Sequence, residues 1–190
     1  MEDFSPKKIV NDYKKNGASA VSVLCNTRYF QGKYADMQEA AENTSLPILC
    51  KDFIISSYQI QKARKHGADA ILLMASVLSP QQIQSFLEEA KQLEMDALVE
   101  VHTAQELEAV LKETTADIIG INNRDLHTLN IDLKTTKKLL DTIPKARPIV
   151  KICGVKDQEI LDHCEELGVD MIGLNFVEGR HRCISIEIAQ

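Results

Sequence analysis

The sequence predicts an α/β fold in which parallel strands curl into a barrel. Seven apolar runs of strand length recur along the 190 residues, with a helix-like stretch after each. Their starts lie 20 to 31 residues apart, which fits a strand, a helix and two loops in each unit. Such alternation produces a parallel sheet, and runs that are apolar at successive positions suit strands covered on both faces. The strand runs are 18–24, 46–50, 68–74, 96–101, 116–121, 147–152 and 169–174.

A parallel sheet of this kind is either doubly wound or closed into a barrel. A dinucleotide-binding sheet carries a glycine-rich fingerprint after its first strand, and residues 23–30 contain none. Polar residues follow several different strands instead, as in a TIM barrel, where catalytic groups come from many strand ends. We therefore predict a single domain over residues 1–190 of the (βα)8 TIM-barrel type. Seven strands fall short of the eight in a barrel, and the length falls short of about 250 residues, so we expect one strand of the barrel to be missing.

Two predicted helices begin at recognisable caps. Ser79 and Pro80 supply an N-cap and a first-turn proline for the helix that follows the third strand. Thr103 caps the helix after the fourth strand, and Glu106 three residues later completes a capping box.

Two later helices are marked mainly by their ends. One begins at Asp132 or Thr135 and ends at Pro144, and another ends at Gly168, which suits a left-handed C-cap. Turns of related sequence join helix to strand and form a weak internal repeat. They lie at 16–18, 66–69, 115–117 and 167–170.

Composition narrows the range of functions. Lysine and arginine number 22 against 28 aspartates and glutamates, which gives a net charge of −6 and a pI near 5.4. Binding to nucleic acid or to a membrane surface through overall charge is therefore not expected. We find no apolar run of membrane-spanning length and no apolar core of a secretory signal near the start.

The cysteines indicate a reducing compartment. There are five, widely spaced, and no pair has the C-x-x-C spacing of a redox or metal motif. An odd number without a disulfide framework favours the cytoplasm. They are Cys25, Cys50, Cys153, Cys164 and Cys183.

Two charged residues at strand ends are candidates for acid–base chemistry. Lys51 directly follows the second strand, where partial desolvation would ready an ammonium as an acid, although a turn lysine on the surface fits the same pattern. Glu100 lies between Val99 and Val101 in the fourth strand, where an unpaired carboxylate would be costly. A structural ion pair would explain Glu100, but its place at the end of a barrel strand favours a functional role.

The fifth strand leads into a polar segment, residues 121–126. Asn122 could orient a substrate hydroxyl or carboxylate, and Arg124 could pair with Asp125 or with an anion. A capped, salt-bridged loop explains the same residues equally well.

Weaker candidates lie elsewhere at the predicted mouth. Gly154 and Gly173 fall in the last two units, where barrels often bind phosphate through backbone N–H groups, although tight turns explain isolated glycines too. His102 and His127 could face the mouth, but neither has a partner at metal-ligand spacing, and we predict no metal. Cys153 fits a small core residue better than a nucleophile.

Three of these segments together resemble indole-3-glycerol phosphate synthase, the ring-closing decarboxylase of tryptophan biosynthesis. The resemblance runs from about residue 4 to 146 and includes SVLCNTRYFQGKYADM at 22–37. Its most specific motifs are KDF and GINxRDL taken together. The segments are LPILCKDFI at 46–54, ALVEVHT at 97–103 and GINNRDLHTLNID at 120–132.

The resemblance implies a barrel that acts without a cofactor on 1-(2-carboxyphenylamino)-1-deoxyribulose 5-phosphate. In that family the residue matching Lys51 is the general acid of ring closure and decarboxylation, and the residue matching Glu100 handles later proton transfers and dehydration. Asn122 would orient the substrate with Arg124 beside it. Phe30 and Phe53 would line the pocket for the aromatic ring.

The final segment departs from that family. The synthase carries a glutamate and a second lysine on its first strand, which this chain is expected to lack. It carries a Glu-Ser-Gly motif where this chain has Ile152, Cys153 and Gly154, and a phosphate-binding serine where this chain has Leu174.

Residues 147–190 resemble instead the start of phosphoribosylanthranilate isomerase. The likeness is carried by KICGVKDQEILDHCEELGVDMIGLNFVEGRHRCIS at 151–185. It implies a general base at Cys153 and a loop arginine at Arg182. That family's acid lies in a part for which this chain has no counterpart.

Three functions follow as hypotheses. The first is an indole-3-glycerol phosphate synthase-type lyase. The second is an isomerase, residual or composite. The third is a non-catalytic barrel remnant, in which a homodimer or another chain completes the barrel across exposed sheet edges.

Overall fold

In the residues that the structure describes, the protein forms a partial TIM barrel of seven parallel strands in one sheet, ordered β1 to β7 from edge to edge. The structure is a computed structural model and describes residues 4–122, 139, 142–143, 149–155, 158–166 and 168–174. All seven predicted strands are confirmed. They are β1 (Val21–Leu24), β2 (Ile48–Lys51), β3 (Ala70–Met74), β4 (Asp96–Val101), β5 (Ile118–Ile121), β6 (Ile149–Val155) and β7 (Met171–Leu174).

Most strands begin two or three residues later than the apolar pattern predicted. The apolar residues before them, such as Ala68 and Ala116, are buried in the turn beneath the sheet rather than paired in it. Burial alone therefore does not separate the turn from the strand. The end of β6 also differs from the prediction. The strand continues three residues beyond the predicted end, to Val155, with an irregular register between Cys153 and Val155.

Two of the repeated turns link a strand to its neighbour through an aspartate side chain. Gly67 and Gly168 adopt φ of +86° and +68°, a left-handed conformation that favours glycine at a helix end. The aspartate that follows each of them accepts a hydrogen bond from the start of the preceding strand. Asp69 accepts from the Ile48 amide and Asp170 from the Val150 amide, both at 2.8 Å. The weak sequence repeat is thus a device that sets strand register.

Helices separate the strands. The caps predicted at Ser79 and Thr103 are confirmed, and both belong to capping boxes. The predicted helix between Asp132 and Pro144 lies outside the described residues, except for isolated positions within it. The described helices are α1 (Pro6–Lys15), α2 (Thr27–Phe30), α3 (Tyr34–Glu42), α4 (Ser57–Lys65), α5 (Pro80–Gln92), α6 (Ala104–Glu113) and α7 (Gln158–Glu166).

The two faces of the sheet carry different side chains. Alternate strand residues such as Ile71, Val99 and Ile119 join the helices in the main apolar core. The intervening residues Leu72 and Leu98 form a second, smaller cluster with Met74 on the other face. Because side chains alternate along a strand, this second face is the inside of the barrel.

None of the helices in the described ranges is long and apolar enough to cross a membrane.

Candidate active site

Three of the residues singled out in the sequence meet at one place. Lys51 ends β2, Glu100 is the next-to-last residue of β4, and Asn122 follows β5 directly. Parallel strands present their carboxyl ends at the same rim, so residues distant in sequence converge there. Glu100 lies between the other two and contacts both of them.

Glu100 is buried to 1% exposure but is not isolated. Its Oε1 accepts a hydrogen bond of 3.1 Å from Asn122 Nδ2, and its Oε2 lies 3.7 Å from Lys51 Nζ. The lysine side chain is 30% exposed, so its ammonium joins the buried carboxylate to the open mouth. The arrangement can deliver a proton from Lys51 and exchange another at Glu100.

His102 is a second basic residue close to Glu100. Its Nε2 lies 3.5 Å from Glu100 Oε1, and its Nδ1 lies 3.6 Å from Glu106 Oε2. Both ring nitrogens are buried, and neither makes a hydrogen bond in the part of the chain that the structure describes. The sequence placed His102 near the mouth but gave no partner for it.

Glu106 has two tasks at the start of α6. Its carboxylate accepts hydrogen bonds from the backbone N–H groups of His102, at 2.6 Å, and Thr103, at 3.3 Å. Burial would raise the pKa of Glu106, but the His102 ring and these backbone N–H groups outweigh it and lower that pKa. Glu106 is therefore held as a carboxylate beside the histidine.

The predicted aromatic residues lie together beside this cluster. Phe30, the last residue of α2, stacks on Phe53 with ring centroids 5.4 Å apart and an interplanar angle of 11°. Tyr29 approaches the same ring edge-on at 5.3 Å. Phe53 in turn packs on the inner cluster. These rings form an apolar wall within the same rim as Lys51.

Asp52 holds this wall in place, and the sequence reasoning did not single it out. Its Oδ1 accepts from Asn26 Nδ2 and from the Phe53 amide, and its Oδ2 accepts from the Tyr34 hydroxyl, all at 2.8 Å. Asn26 also caps α2 by accepting from the Tyr29 amide at 3.0 Å. The short helix that carries Phe30 is thereby tied to β2. The sequence did contain one signal for Asp52, because it lies within KDF between the predicted site residues Lys51 and Phe53.

The network extends into the core behind β2. Burial, the nearby Cys50 thiol and the hydrogen bond to Asp52 raise the pKa of Tyr34, and the interaction of the Cys25 thiol with Cys50 together with burial raises the pKa of Cys25. Tyr34 also packs edge-on against His66 and lies under Lys62 Nζ, 4.1 Å from the ring centroid. Tyr34 stays a neutral hydrogen-bond donor in this setting.

Other predicted site residues are described only in part. Gly173 lies in β7, where a Cβ would come within 3.3 Å of Lys151 Nζ, so its missing side chain makes room for that lysine. Gly154 and Cys153 lie in β6, where the structure describes the backbone alone. Arg124 and Arg182 lie outside the described residues.

Fold and site together define a TIM-barrel-type protein whose rim brings a lysine, a buried glutamate and an asparagine into contact. The family model for indole-3-glycerol phosphate synthase matches residues 1–180. The chain belongs to this family, whose members are lyases of tryptophan biosynthesis.

Relatives bearing that name support the assignment. Indole-3-glycerol phosphate synthase of Acetivibrio thermocellus is 45% identical across the whole chain, which spans 72% of that protein. That of Dehalococcoides mccartyi is 43% identical over 98% of the chain and 71% of the relative. That of Prochlorococcus marinus is 45% identical over 93% of the chain, but the match covers only 62% of the relative.

Solved structures support the fold. A 3-hexulose-6-phosphate synthase from Salmonella typhimurium superposes with a TM-score of 0.75 at 13% identity, over 100% of this chain and 92% of that one. An HpcH/HpaI aldolase from Desulfitobacterium hafniense gives 0.68 at 14%, over 87% and 80% of the two chains. At such identities the likeness shows the barrel architecture alone.

The isomerase resemblance gains no support from these comparisons. The synthase model continues through residues 147–180. Neither the isomerase nor the remnant hypothesis is favoured by the family match or by the named relatives.

Proposed function

We propose that the rim formed by β2, β4 and β5 closes the indole ring and removes the carboxylate of 1-(2-carboxyphenylamino)-1-deoxyribulose 5-phosphate. The observation that carries this proposal is the contact of Glu100 with both Lys51, at 3.7 Å, and Asn122, at 3.1 Å. An acid, a second acid–base group and an orienting amide thus lie within reach of one bound molecule.

Lys51 is proposed as the acid of the first step. When the aromatic carbon attacks the ketone, negative charge develops on the carbonyl oxygen, and a positioned ammonium can neutralise it and donate a proton. Loss of carbon dioxide then restores the aromatic ring. The partial exposure of Lys51 supports this role, because its Nζ can reach a substrate in the open mouth.

Glu100 and Asn122 are proposed to act after ring closure. Loss of the ring hydroxyl as water requires a second proton, which a protonated Glu100 can supply, and the carboxylate can then take a proton from the ring. Asn122 holds Glu100 Oε1 through its Nδ2 and would orient substrate hydroxyls at the same rim. Arg124 is proposed as a further substrate contact from the resemblance alone.

The aromatic wall is proposed to bind the substrate's carboxyphenyl ring. Stacked phenyl rings favour a flat apolar ligand, and Phe53 joins the wall to the inner cluster beneath the mouth. Gly154 and Gly173 are proposed phosphate contacts through backbone N–H groups.

The proposal is tested by fluorescence detection of indole product formed by the purified chain. Lys51→Ala should reduce turnover by about 10²- to 10⁴-fold, the range that a general acid contributes. Turnover unchanged in this variant would contradict the role of Lys51.

Lys65→Ala is the matched control for that experiment. It removes the same side chain and the same charge from the exposed end of α4, away from the mouth. Its turnover should equal that of the parent chain. Failure of the parent chain to form any indole product would contradict the proposed function itself.

We further infer that the protein is cytoplasmic and that a homodimer or another chain covers the sheet edges. Met171 and Ile172 of the edge strand β7 are 40% and 38% exposed, and Ile149 beside them is 46% exposed. Apolar side chains at an unpaired edge favour association. If the partner is a second copy, light scattering of the purified chain should give about twice the 21.3 kDa of one chain, and a strictly monomeric mass would contradict the homodimer.

A further inference from the structure

We propose that His102 passes protons between the buried Glu100 and the solvent-facing Glu106. This proposal deepens the proposed function, because it supplies the route by which Glu100 regains or loses its proton between turnovers. His102 would act through Glu100, and it is therefore a positioning and relay residue rather than a catalytic one.

The geometry places the imidazole between two carboxylates. Nε2 is 3.5 Å from Glu100 Oε1 on one side, and Nδ1 is 3.6 Å from Glu106 Oε2 on the other. The His102 side chain is 7% exposed, and neither nitrogen has a hydrogen-bond partner among the described residues. Polar nitrogens buried in this way are costly unless something satisfies them.

Glu100 needs such a route because its side chain is only 2% exposed. Lys51 also touches Glu100, but its ammonium has no lone pair and cannot accept a proton from Glu100 until it has given one to the substrate. Asn122 donates a hydrogen bond and does not exchange protons. Imidazole is the side chain that ordinarily gains and loses a proton near neutral pH.

Glu106 provides the outer end of the route. Its side chain is 22% exposed, compared with 7% for His102 and 2% for Glu100, so exposure increases along the three residues. Glu106 also lines a surface cleft of about 250 Å³ between α5 and α6. The lowered pKa of Glu106 keeps this end a carboxylate that can accept a proton and release it to water.

The transfer balances without any other reactant. The O–H bond at Glu100 Oε1 breaks as Nε2 gains that proton, and the Nδ1–H bond breaks as Glu106 Oε2 gains the second. Glu106 then loses its proton to water, and exchange of the tautomer resets the ring. The reverse sequence reprotonates Glu100. Lys51 is the other charged group close to this route in the part of the chain that the structure describes. It contacts Glu100 rather than His102.

The first test is steady-state kinetics of His102→Gln. We expect kcat to fall by about tenfold or more, while KM changes by less than about twofold, because proton return rather than substrate binding is impaired. The pH profile of kcat should also change, and kcat should rise with buffer concentration. An unchanged kcat and pH profile would overturn the proposal.

Chemical rescue separates a relay from a structural role. In His102→Ala, added imidazole should restore part of the lost kcat, since the free base can occupy the vacated space. A variant that has merely lost packing would not recover. Absence of rescue in a variant that is folded by circular dichroism counts against the relay.

The outer end is tested by Glu106→Gln. Glutamine also serves in a capping box, so this variant retains the start of α6 while losing the proton acceptor. We expect kcat to fall by several-fold, and Glu108→Gln, an exposed glutamate on the same helix, to leave it unchanged. Equal kcat in both variants would remove Glu106 from the route.

A measurement without turnover keeps this proposal distinct from the proposed function. In ¹⁵N NMR spectra of the His102 ring, Glu100→Gln should shift mainly the Nε2 signal, and Glu106→Gln mainly the Nδ1 signal. If neither variant shifts the ring signals, the proposed contacts of His102 with Glu100 and Glu106 are wrong, even where the chain makes indole. If the His102 ring signals shift but no indole forms, the proposed function fails, while the contacts of His102 with the two carboxylates are supported.

Discussion

Two buried carboxylates near the rim are held in different ways. Within the described residues, Asp52 and Glu100 are the buried charged groups, at 4% and 1% exposure. Asp52 accepts three hydrogen bonds, each of 2.8 Å. Glu100 has one hydrogen bond of 3.1 Å and two looser contacts, at 3.5 and 3.7 Å.

The difference separates a group that builds the site from one that can react in it. Three short hydrogen bonds to the Asp52 carboxylate fix the positions of its neighbours, so Asp52 acts as a structural anchor for the aromatic wall. Glu100 has fewer short bonds, and its neighbours are an ammonium, an imidazole and an amide. Proton exchange at Glu100 therefore breaks less structure than it would at Asp52.

The largest expected effect is on activity, in Glu100→Gln. This change keeps the shape and the hydrogen bond to Asn122 but removes the exchangeable proton, so kcat should fall by about 10²- to 10⁴-fold. Chemical unfolding should show stability equal to or greater than that of the parent, because reactive groups are often retained at some cost to stability. A large loss of stability in this variant would make Glu100 an anchor like Asp52.

Asp52→Ala should give the opposite pattern. It leaves the Asn26 amide, the Tyr34 hydroxyl and the Phe53 N–H without their acceptor, and stability should fall by about 2–4 kcal/mol in urea unfolding. Loosening of the aromatic wall should raise KM, while kcat falls less than in Glu100→Gln. Asp52→Asn, which retains one acceptor oxygen, should fall between the parent and the alanine variant. A purely catalytic defect with unchanged stability would refute the anchoring role.

The smallest expected effect is on stability, in Tyr34→Phe, and it depends on pH. Tyr34→Phe removes one hydrogen bond to Asp52 and should cost about 1 kcal/mol of unfolding free energy at pH 7. The raised pKa of Tyr34 means that the unfolded chain ionises first, so this tyrosine's contribution to stability is lost as pH rises above about 10. The difference between parent and variant in urea unfolding should therefore shrink between pH 7 and pH 10.5. A difference that stays constant would contradict the burial of the hydroxyl.

Much of the site was accessible to sequence reasoning, but its partners were not. Lys51, Glu100 and Asn122 were singled out as polar residues at strand ends, and the family resemblance gave them their roles. The structure brings Glu100 into contact with both of the others. The contacts of Asp52 with Tyr34 and Asn26 span 18 and 26 positions, and no local pattern reveals such pairs. His102 was noticed without a role, because its carboxylate neighbours become visible only when β4 and α6 are joined in space.

The sequence by itself determined the seven strands, the capped helices and the rim to which reactive residues belong. These follow from local physics. Apolar runs pair into a parallel sheet, N-cap residues mark where helices begin, and glycine adopts the left-handed conformation at turns. The tertiary structure alone decided which carboxylate is anchored and which is free to exchange protons. That distinction depends on differences of less than 1 Å, between 2.8 Å around Asp52 and 3.1 to 3.7 Å around Glu100, in the distances between side chains from different strands and helices. Only packing of the whole sheet sets those distances.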